Sequence, residues 1–272
     1  MSPGPRVTAI TVAGLRRYPV KSMRGERVDA LRVTPRGAQG DRAHALIEAA
    51  TGNVASAKRS RVWGGLFACT ARYAAPFEAG GEPPPVRITL PDGATVASGD
   101  SDCEARLSAA FGREVRLGRP SAERLRVESE PALGNGGGEV GAFRLPAGVF
   151  VDAAPLHLLT TATLAALARL YPAGRFDPRR FRPNLLLATP PEAGGFVEDG
   201  WPGRELWVGG VRLRVTAPTE RCIMTTLPQG DDLPHDPGIM RALLAHHDAR
   251  AGVYAEVVEP GEVRVGDRVE VV

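Results

Sequence analysis

The chain has 272 residues, 43% hydrophobic and 24% charged, a composition that supports a buried core and excludes wholesale disorder. Its 34 Lys and Arg against 31 Asp and Glu leave a formal charge of only +3, too little for a general nucleic-acid binder. No apolar run is long enough to span a bilayer, no secretory leader is visible, and three scattered cysteines make no disulfide framework, so the expected setting is a reducing cytoplasm without membrane attachment.

With 32 glycines and 24 prolines, the chain favours many short strands and turns over long helices. "VTAITVAGLRRYPV" alternates like a half-buried strand, and "RVDALRVTP" follows as a second. "HALIEAATGNVAS" carries a Thr-Gly-Asn turn between apolar runs and reads as a hairpin. In "VRITLPDGATVAS", Asp92-Gly93 gives a stronger hairpin signal. "SDCEARLSAAFG" predicts a helix, with Ser101 and Glu104 as a capping box and Gly112 as its stop.

Residues 121–148 are polar, glycine-rich and aperiodic, and are expected to connect an N-terminal part (1–120) to a C-terminal part (149–272). The second part opens with the strand "VFVDAAPLHLL". A helix follows, with Leu164, Leu167, Ala168 and Tyr171 on one face and Pro172 as its end. Strands return in "NLLLAT", "ELWVGG" and "VRLRVTAP", with a tight turn at Gly209-Gly210. A helix capped by Asp236 starts at Pro237, and three short strands close the chain. The fold class is mainly β with some α, a barrel with appended helices rather than a doubly wound sheet.

Four places can carry chemistry. In "YPVKS", Lys21 and Ser22 leave a strand and could hold an anion, the alternative being a solvated loop. In "GAQGDRAHAL", a glycine turn precedes Asp41 and Arg42, which suits an anion or a surface salt bridge. "GRFDPRRFRPNLLL" packs Arg175, Arg179, Arg180 and Arg182 together. Arg179 and Arg180 could form a solvated basic face; Arg182, pushed toward extended geometry by Pro183, and the Asn184 amide suit an anion and a heterocycle edge.

The fourth place is Cys222. Cys69 sits in an apolar strand and Cys103 in a helix without a visible partner, so both read as structural. Cys222 instead follows a strand, beside Arg221, which favours thiolate, and before Thr225 and Thr226, which could donate to it. Packing residue, nucleophile and metal ligand all remain open. The pattern Asp231, Asp232, His235, Asp236 could ligate a hard cation but fits a polar lid better, and no zinc, Walker or dinucleotide motif is present.

Taken in order, "YPVKS", "GDRAHAL", "FRPN", "RCIMTT" and "PGEVRVGDRVEV" resemble the MOSC superfamily, specifically proteins with an N-terminal MOSC β-barrel followed by a MOSC domain, such as the mitochondrial amidoxime reducing component and its bacterial relatives. The resemblance implies an N-terminal β-barrel-like domain, a C-terminal MOSC β-barrel with appended helices, and a molybdenum–molybdopterin cofactor. It implies Cys222 as molybdenum ligand and catalytic residue, with Lys21, Ser22, Arg42, Asp152, Arg182, Asn184, Arg221 and Tyr254 around the cofactor. Ala153 and Ala154 stand where relatives often carry hydroxyls, and Glu220 puts a carboxylate near the metal. The implied activity is reduction of N-hydroxylated small molecules, with electrons from an external ferredoxin-like or cytochrome-like donor. A sulfur carrier with a persulfide on Cys222 is the alternative; a pyridoxal phosphate protein, or a module docking an acidic partner on its arginines, are further readings.

Overall fold

The computed structural model describes residues 9–78, 83–130, 139–230 and 232–272. The first half contains β1 (Thr11–Arg17), β2 (Glu26–Val28), β3 (Ala30–Thr34), β4 (Gly37–Ala38), β5 (Ala45–Glu48) and the short helix α1 (Ser60–Trp63). It continues with β6 (Thr70–Tyr73), β7 (Val86–Thr89), β8 (Thr95–Ala97), α2 (Cys103–Phe111) and β9 (Val115–Gly118). After β10 (Arg126–Ser129) and β11 (Gly141–Arg144) come β12 (Leu156–Thr160), α3 (Thr161–Leu170), α4 (Pro178–Phe181), β13 (Leu185–Ala188), β14 (Glu205–Val208) and β15 (Val211–Glu220). α5 (Pro237–His246), β16 (Arg250–Glu259), β17 (Gly261–Arg264) and β18 (Val269–Val271) end the chain.

The architecture is mainly β, as the turn-rich composition predicts. The largest sheet runs β18-β14-β15-β16-β12-β13-β1-β2. It closes on itself because Thr11 of β1 bridges Arg268, and Val269 N donates to Ile10 O at 2.9 Å. Closure removes the free edges that an open sheet leaves. Alternation fills the interior: Val211, Leu213 and Val215 of β15 point inward with Leu156, Leu158, Leu185, Leu187, Val253 and Ala255. Each such aliphatic side chain contributes about 1.5–3 kcal/mol of burial. β12 and β13 pair in parallel, which requires the crossover that α3 supplies.

The strand pairing crosses the boundary read from sequence. β1 comes from the N-terminal segment yet pairs with β13 of the C-terminal barrel, while C-terminal β17 pairs with β3. The remaining N-terminal ladders, β5-β9 and β6-β7-β8, enclose a second core around Met23, Leu46, Leu66, Ile88, Val96 and Leu107.

Several local expectations change. The segment read as an aperiodic connector contains the β10–β11 ladder, and the alternation "RLRVES" buries Val127 with Leu145 and Phe150; residues 131–138 of that segment lie outside the described residues. α2 ends at left-handed Gly112 as predicted, but no capping box forms: Asp102 holds the N-cap position without a side-chain bond, and Glu104 accepts from Leu117 N instead. β5 pairs with β9 on one side, and on the other the chain turns back on it as a short hairpin, with Glu48 N donating to Asn53 O at 3.0 Å and Ala55 N to Leu46 O at 2.8 Å around the Ile47–Val54 bridge. α3, capped by Thr160 Oγ1 on Thr163 N, packs Leu164, Leu167 and Tyr171 against the core as expected, while Ala168 is exposed and Ala162, Thr163 and Ala166 widen the buried face. The Asp236 cap of α5 and the Gly209-Gly210 hairpin stand as expected.

Candidate functional site

One rim of the barrel collects the C-terminal end of β1 and the starts of β12 and β13, and the excursion between β15 and β16 is tied to the segment entering β13 by Arg221 Nη2 donating to Phe181 O at 2.6 Å and Arg180 Nη1 to Thr225 O at 3.2 Å. Backbone bonds bring "YPVKS" and "GDRAH" together: Arg42 N donates to Tyr18 O at 2.7 Å, His44 N to Pro19 O at 3.0 Å and Lys21 N to His44 O at 2.9 Å. Asp41 Oδ1 accepts from Tyr18 N at 2.7 Å, and Asp41 also pairs with the Arg42 guanidinium. Ser22, Arg42 and Arg182 all adopt positive φ without being glycine, at 63°, 45° and 57°. Such backbone geometry is sparsely populated and concentrates where surrounding structure imposes it at functional sites.

Lys21 is not a solvated loop residue; it is 5% exposed, donating to Phe150 O at 2.9 Å and to Asp152 at 2.5 Å. The other oxygen of Asp152 receives Lys58 Nζ at 2.9 Å. Burial opposes the Asp152 charge, but Lys21 and Lys58 outweigh it and hold the carboxyl well below the usual carboxylate range. For Lys58 burial acts downward and is outweighed by Asp152 and then Cys222, so its ammonium sits above the ordinary lysine value. Lys58 was not singled out in the sequence. It arrives because Ser22 Oγ accepts from Ala57 N at 3.1 Å, which spends the Ser22 hydroxyl on backbone at a position 2% exposed.

Arg182 takes the left-handed conformation as the cap of α4, not the extended one expected before Pro183: α4 must stop, and αR is disfavoured ahead of proline. Its guanidinium lies 4.1 Å from the Tyr18 ring centroid and donates to Met23 O at 2.6 Å; Arg42 lies 4.9 Å from the same ring. Burial, then the neighbouring Arg42, pulls the Arg182 pKa down to about 10. Asn184, 1% exposed, spends its amide on the fold, accepting from His157 N at 3.2 Å and donating to Arg16 O at 3.3 Å.

Cys222 is half-buried, whereas Cys69 and Cys103 are buried. Burial pushes the Cys69 thiol up to about 11 and also raises Cys103, so both stay protonated and inert. Arg221 and Lys58 stand close enough to Cys222 for their charges to interact, and Tyr254 lies within the same range of both cations. Tyr254 faces His157 across the β12–β16 ladder with ring centroids 6.0 Å apart. Burial and then Arg221 keep His157 far below its ordinary pKa, hence neutral. Thr225 and Thr226 do not point hydroxyls at the sulfur as expected; they donate to the carbonyls of Cys222 and Ile223. Glu220 is exposed and sits opposite Arg250 in the β15–β16 ladder.

The predicted basic face is not a face. Arg179 pairs with Asp177 and Asp232, Arg175 donates to Asp232 O, and Arg180 is 1% exposed. Asp231 of the expected lid lies outside the described residues, while Asp236 caps α5.

The cleft thus gathers five cations (Lys21, Arg42, Lys58, Arg182, Arg221), with Asp152 engaged by the two lysines and Asp41 by Arg42. Arg182 Nη2 and Arg221 Nε are buried without a hydrogen-bond partner among the described residues. Buried donors left unpaired fit an anionic group that would complete them. Among the described residues no cluster of three or more His, Cys, Asp or Glu could hold a metal ion, and Cys222 offers a half-buried soft donor. These donors fit a phosphate-bearing metal–dithiolene cofactor: cations for the phosphate and a soft sulfur for the metal.

The structure is thus of the closed β-barrel class, with a half-buried cysteine near Arg221 and Lys58. The family model of the MOSC domain matches residues 147–270, and that of the MOSC N-terminal beta barrel domain matches residues 9–62. The chain belongs to the MOSC-domain family, in the group with an N-terminal MOSC barrel. MOSC domains are associated with molybdenum-cofactor binding or sulfuration. No curated protein matches the chain significantly. Among solved structures, the YuaD protein from Bacillus subtilis is 13% identical over 98% of this chain and 97% of its own, with a TM-score of 0.49. YiiM from Geobacillus stearothermophilus is 19% identical (58% and 66% covered, TM-score 0.34), and YiiM from Escherichia coli is 19% identical (46% and 58%, TM-score 0.33). At such scores the likeness decides nothing about this chain. No helix among the described residues is long and apolar enough to cross a membrane.

Proposed function

We propose that this chain is a molybdenum–molybdopterin oxidoreductase that reduces N-hydroxylated small molecules, with Cys222 as the metal's protein ligand. The observation that carries this reading is the half-buried Cys222 thiol beside Arg221, whose Nε, like Nη2 of Arg182, is a buried donor without a partner among the described residues. When bound, the cofactor supplies two-electron chemistry. Converting an N–OH group to N–H with release of water consumes two electrons and two protons. An external ferredoxin-like or cytochrome-like protein is the electron source in this proposal, and a reducing cytoplasm suits three free thiols.

The chain's own residues have distinct tasks. Lys21, Arg42 and Arg182 bind the phosphate end, the last two braced on the Tyr18 ring. Asp152 suits a carboxylate contact to the amino edge of a pterin. Arg221 and Lys58 place positive charge near the Cys222 sulfur. Tyr254 and the neutral His157 pack against each other across the β12–β16 ladder.

The test is metal and pterin content of the protein purified from a host that makes the cofactor, compared with Cys222→Ala. Stoichiometric molybdenum and pterin in the wild type and metal loss in the variant are expected. A folded wild type with neither would overturn the proposal. An extra sulfur on Cys222 by mass spectrometry would instead establish the sulfur-carrier reading, and an absorbance band near the visible edge a pyridoxal phosphate protein.

A further inference from the structure

Arg180 is among the largest fully buried side chains, 1% exposed, and no carboxylate meets its guanidinium among the described residues. A buried charge without a counter-charge is costly unless its donors are satisfied by well-placed acceptors. Here four carbonyls do so. Nε donates to Arg175 O at 3.0 Å, Nη1 to Thr225 O at 3.2 Å and Leu227 O at 3.3 Å, and Nη2 to Pro234 O at 2.8 Å. Only a planar fork presents donors in enough fixed directions to serve that set.

Three of those carbonyls belong to the segment that follows Cys222. Thr225 closes the 3-10 turn Ile223–Thr226, and both its N (3.1 Å) and its Oγ1 (3.0 Å) donate to the Cys222 carbonyl. An unbroken series of bonds therefore runs from Arg180 through Thr225 to Cys222. The other side of the cysteine is tied to the same helix: Arg221 Nη2 donates to Phe181 O at 2.6 Å, with its guanidinium 5.6 Å from the Phe181 ring centroid. Cys222 hangs between two ties, both made by consecutive residues of α4.

We propose that Arg180 is the positioning residue of Cys222, its guanidinium holding the Thr225 and Leu227 carbonyls so that the turn presents the thiol to the cationic cleft. The arginine touches neither the sulfur nor any ligand; it acts through the turn. This holds whether the sulfur binds a metal or carries another sulfur, so it stands apart from the proposed activity.

The readout is the thiol itself. With Cys69 and Cys103 buried, iodoacetamide at limiting concentration reports Cys222 alone, and its alkylation rate at one fixed pH is measured in the cofactor-free protein. In Arg180→Lys and Arg180→Met, folded by circular dichroism, that rate should change about tenfold, the low end of what losing a partner that orients a ligand does. Arg179→Gln, at a half-buried arginine of the same helix that pairs with Asp177 and Asp232, should leave the rate unchanged. If neither Arg180 variant folds, Thr225→Val decides, because it removes one bond to the Cys222 carbonyl at equal volume; Thr225→Ser should restore the wild-type rate. A folded Arg180→Lys, or a folded Thr225→Val, with the wild-type rate would overturn the proposal.

Discussion

Lys21 Nζ donates to the Asp152 carboxylate at 2.5 Å although 131 positions separate the two residues. The pair joins the strand exit of the first half to the entrance of the second, and Lys58 completes it from the other side at 2.9 Å. Asp152 is a carboxylate whose folded pKa is depressed, burial opposing and the two lysines prevailing. Its contribution is therefore present above the unfolded aspartate value of about 3.9 and fades as pH falls from there toward the lower folded value. Asp152→Asn should be less stable than wild type at pH 7 by about 1.5–3 kcal/mol, the worth of hydrogen bonds to charged groups. The gap should narrow below about pH 4, as the carboxylate of the unfolded chain takes up a proton while the folded one still holds its charge. Urea denaturation at pH 7 and pH 3 measures both; a gap that stays constant across that range would sink the assignment.

Cys222→Ser should fold with stability within about 0.5 kcal/mol of wild type, because the side chain is half-buried and forms no cap to its turn. Molybdenum content, in contrast, should fall to background, since an alcohol replaces the one soft donor of the cleft. Parallel metal analysis and thermal melting check the two halves of this expectation. A variant that loses metal and also melts early would show that the cysteine is packing material.

How far the sequence reaches can be judged at particular residues. Strand alternation and paired glycines locate β14, β15 and their turn, because period-two burial and a two-residue hairpin are local properties. The cysteine was legible by contrast, since Cys69 and Cys103 lie in apolar or helical settings and Cys222 does not. Lys58 was not, because nothing in "ASAKRS" marks it; a hydrogen bond to Ser22, 35 positions earlier from Ala57, delivers it to the site. Arg180 reads as surface in a run of arginines, and only the tertiary path of residues 225–234 buries it. The strand exchange that places β1 in the C-terminal barrel is likewise invisible to a reading that divides the chain by composition.

Arg182→Lys should weaken cofactor retention about tenfold, while the protein keeps its fold. Lysine can still donate to Met23 O, but it gives up the planar stack 4.1 Å over Tyr18 and the unpartnered Nη2. The stack alone is worth about 0.5–2 kcal/mol. Pterin fluorescence released from equal amounts of purified protein, with molybdenum measured in parallel, quantifies retention. Unchanged retention would remove Arg182 from the set that holds the anion.

Asn184 separates two readings of one residue. As a reader of the heterocycle it would leave the cofactor-free protein indifferent to its loss. The geometry gives it a different task, stitching His157 N and Arg16 O at the shared start of β12, β13 and the end of β1. Asn184→Ala leaves both backbone groups buried and short of a partner, a cost of about 1–3 kcal/mol for each group left unsatisfied. Asn184→Asp should be no better, because a carboxylate cannot donate to Arg16 O and would introduce a charge at a position 1% exposed. Both variants should therefore melt well below wild type before any cofactor is loaded. Thermal midpoints of cofactor-free protein decide the point: an unshifted midpoint together with lost pterin would return Asn184 to the ligand set and leave the junction of the three strands held by backbone pairing alone.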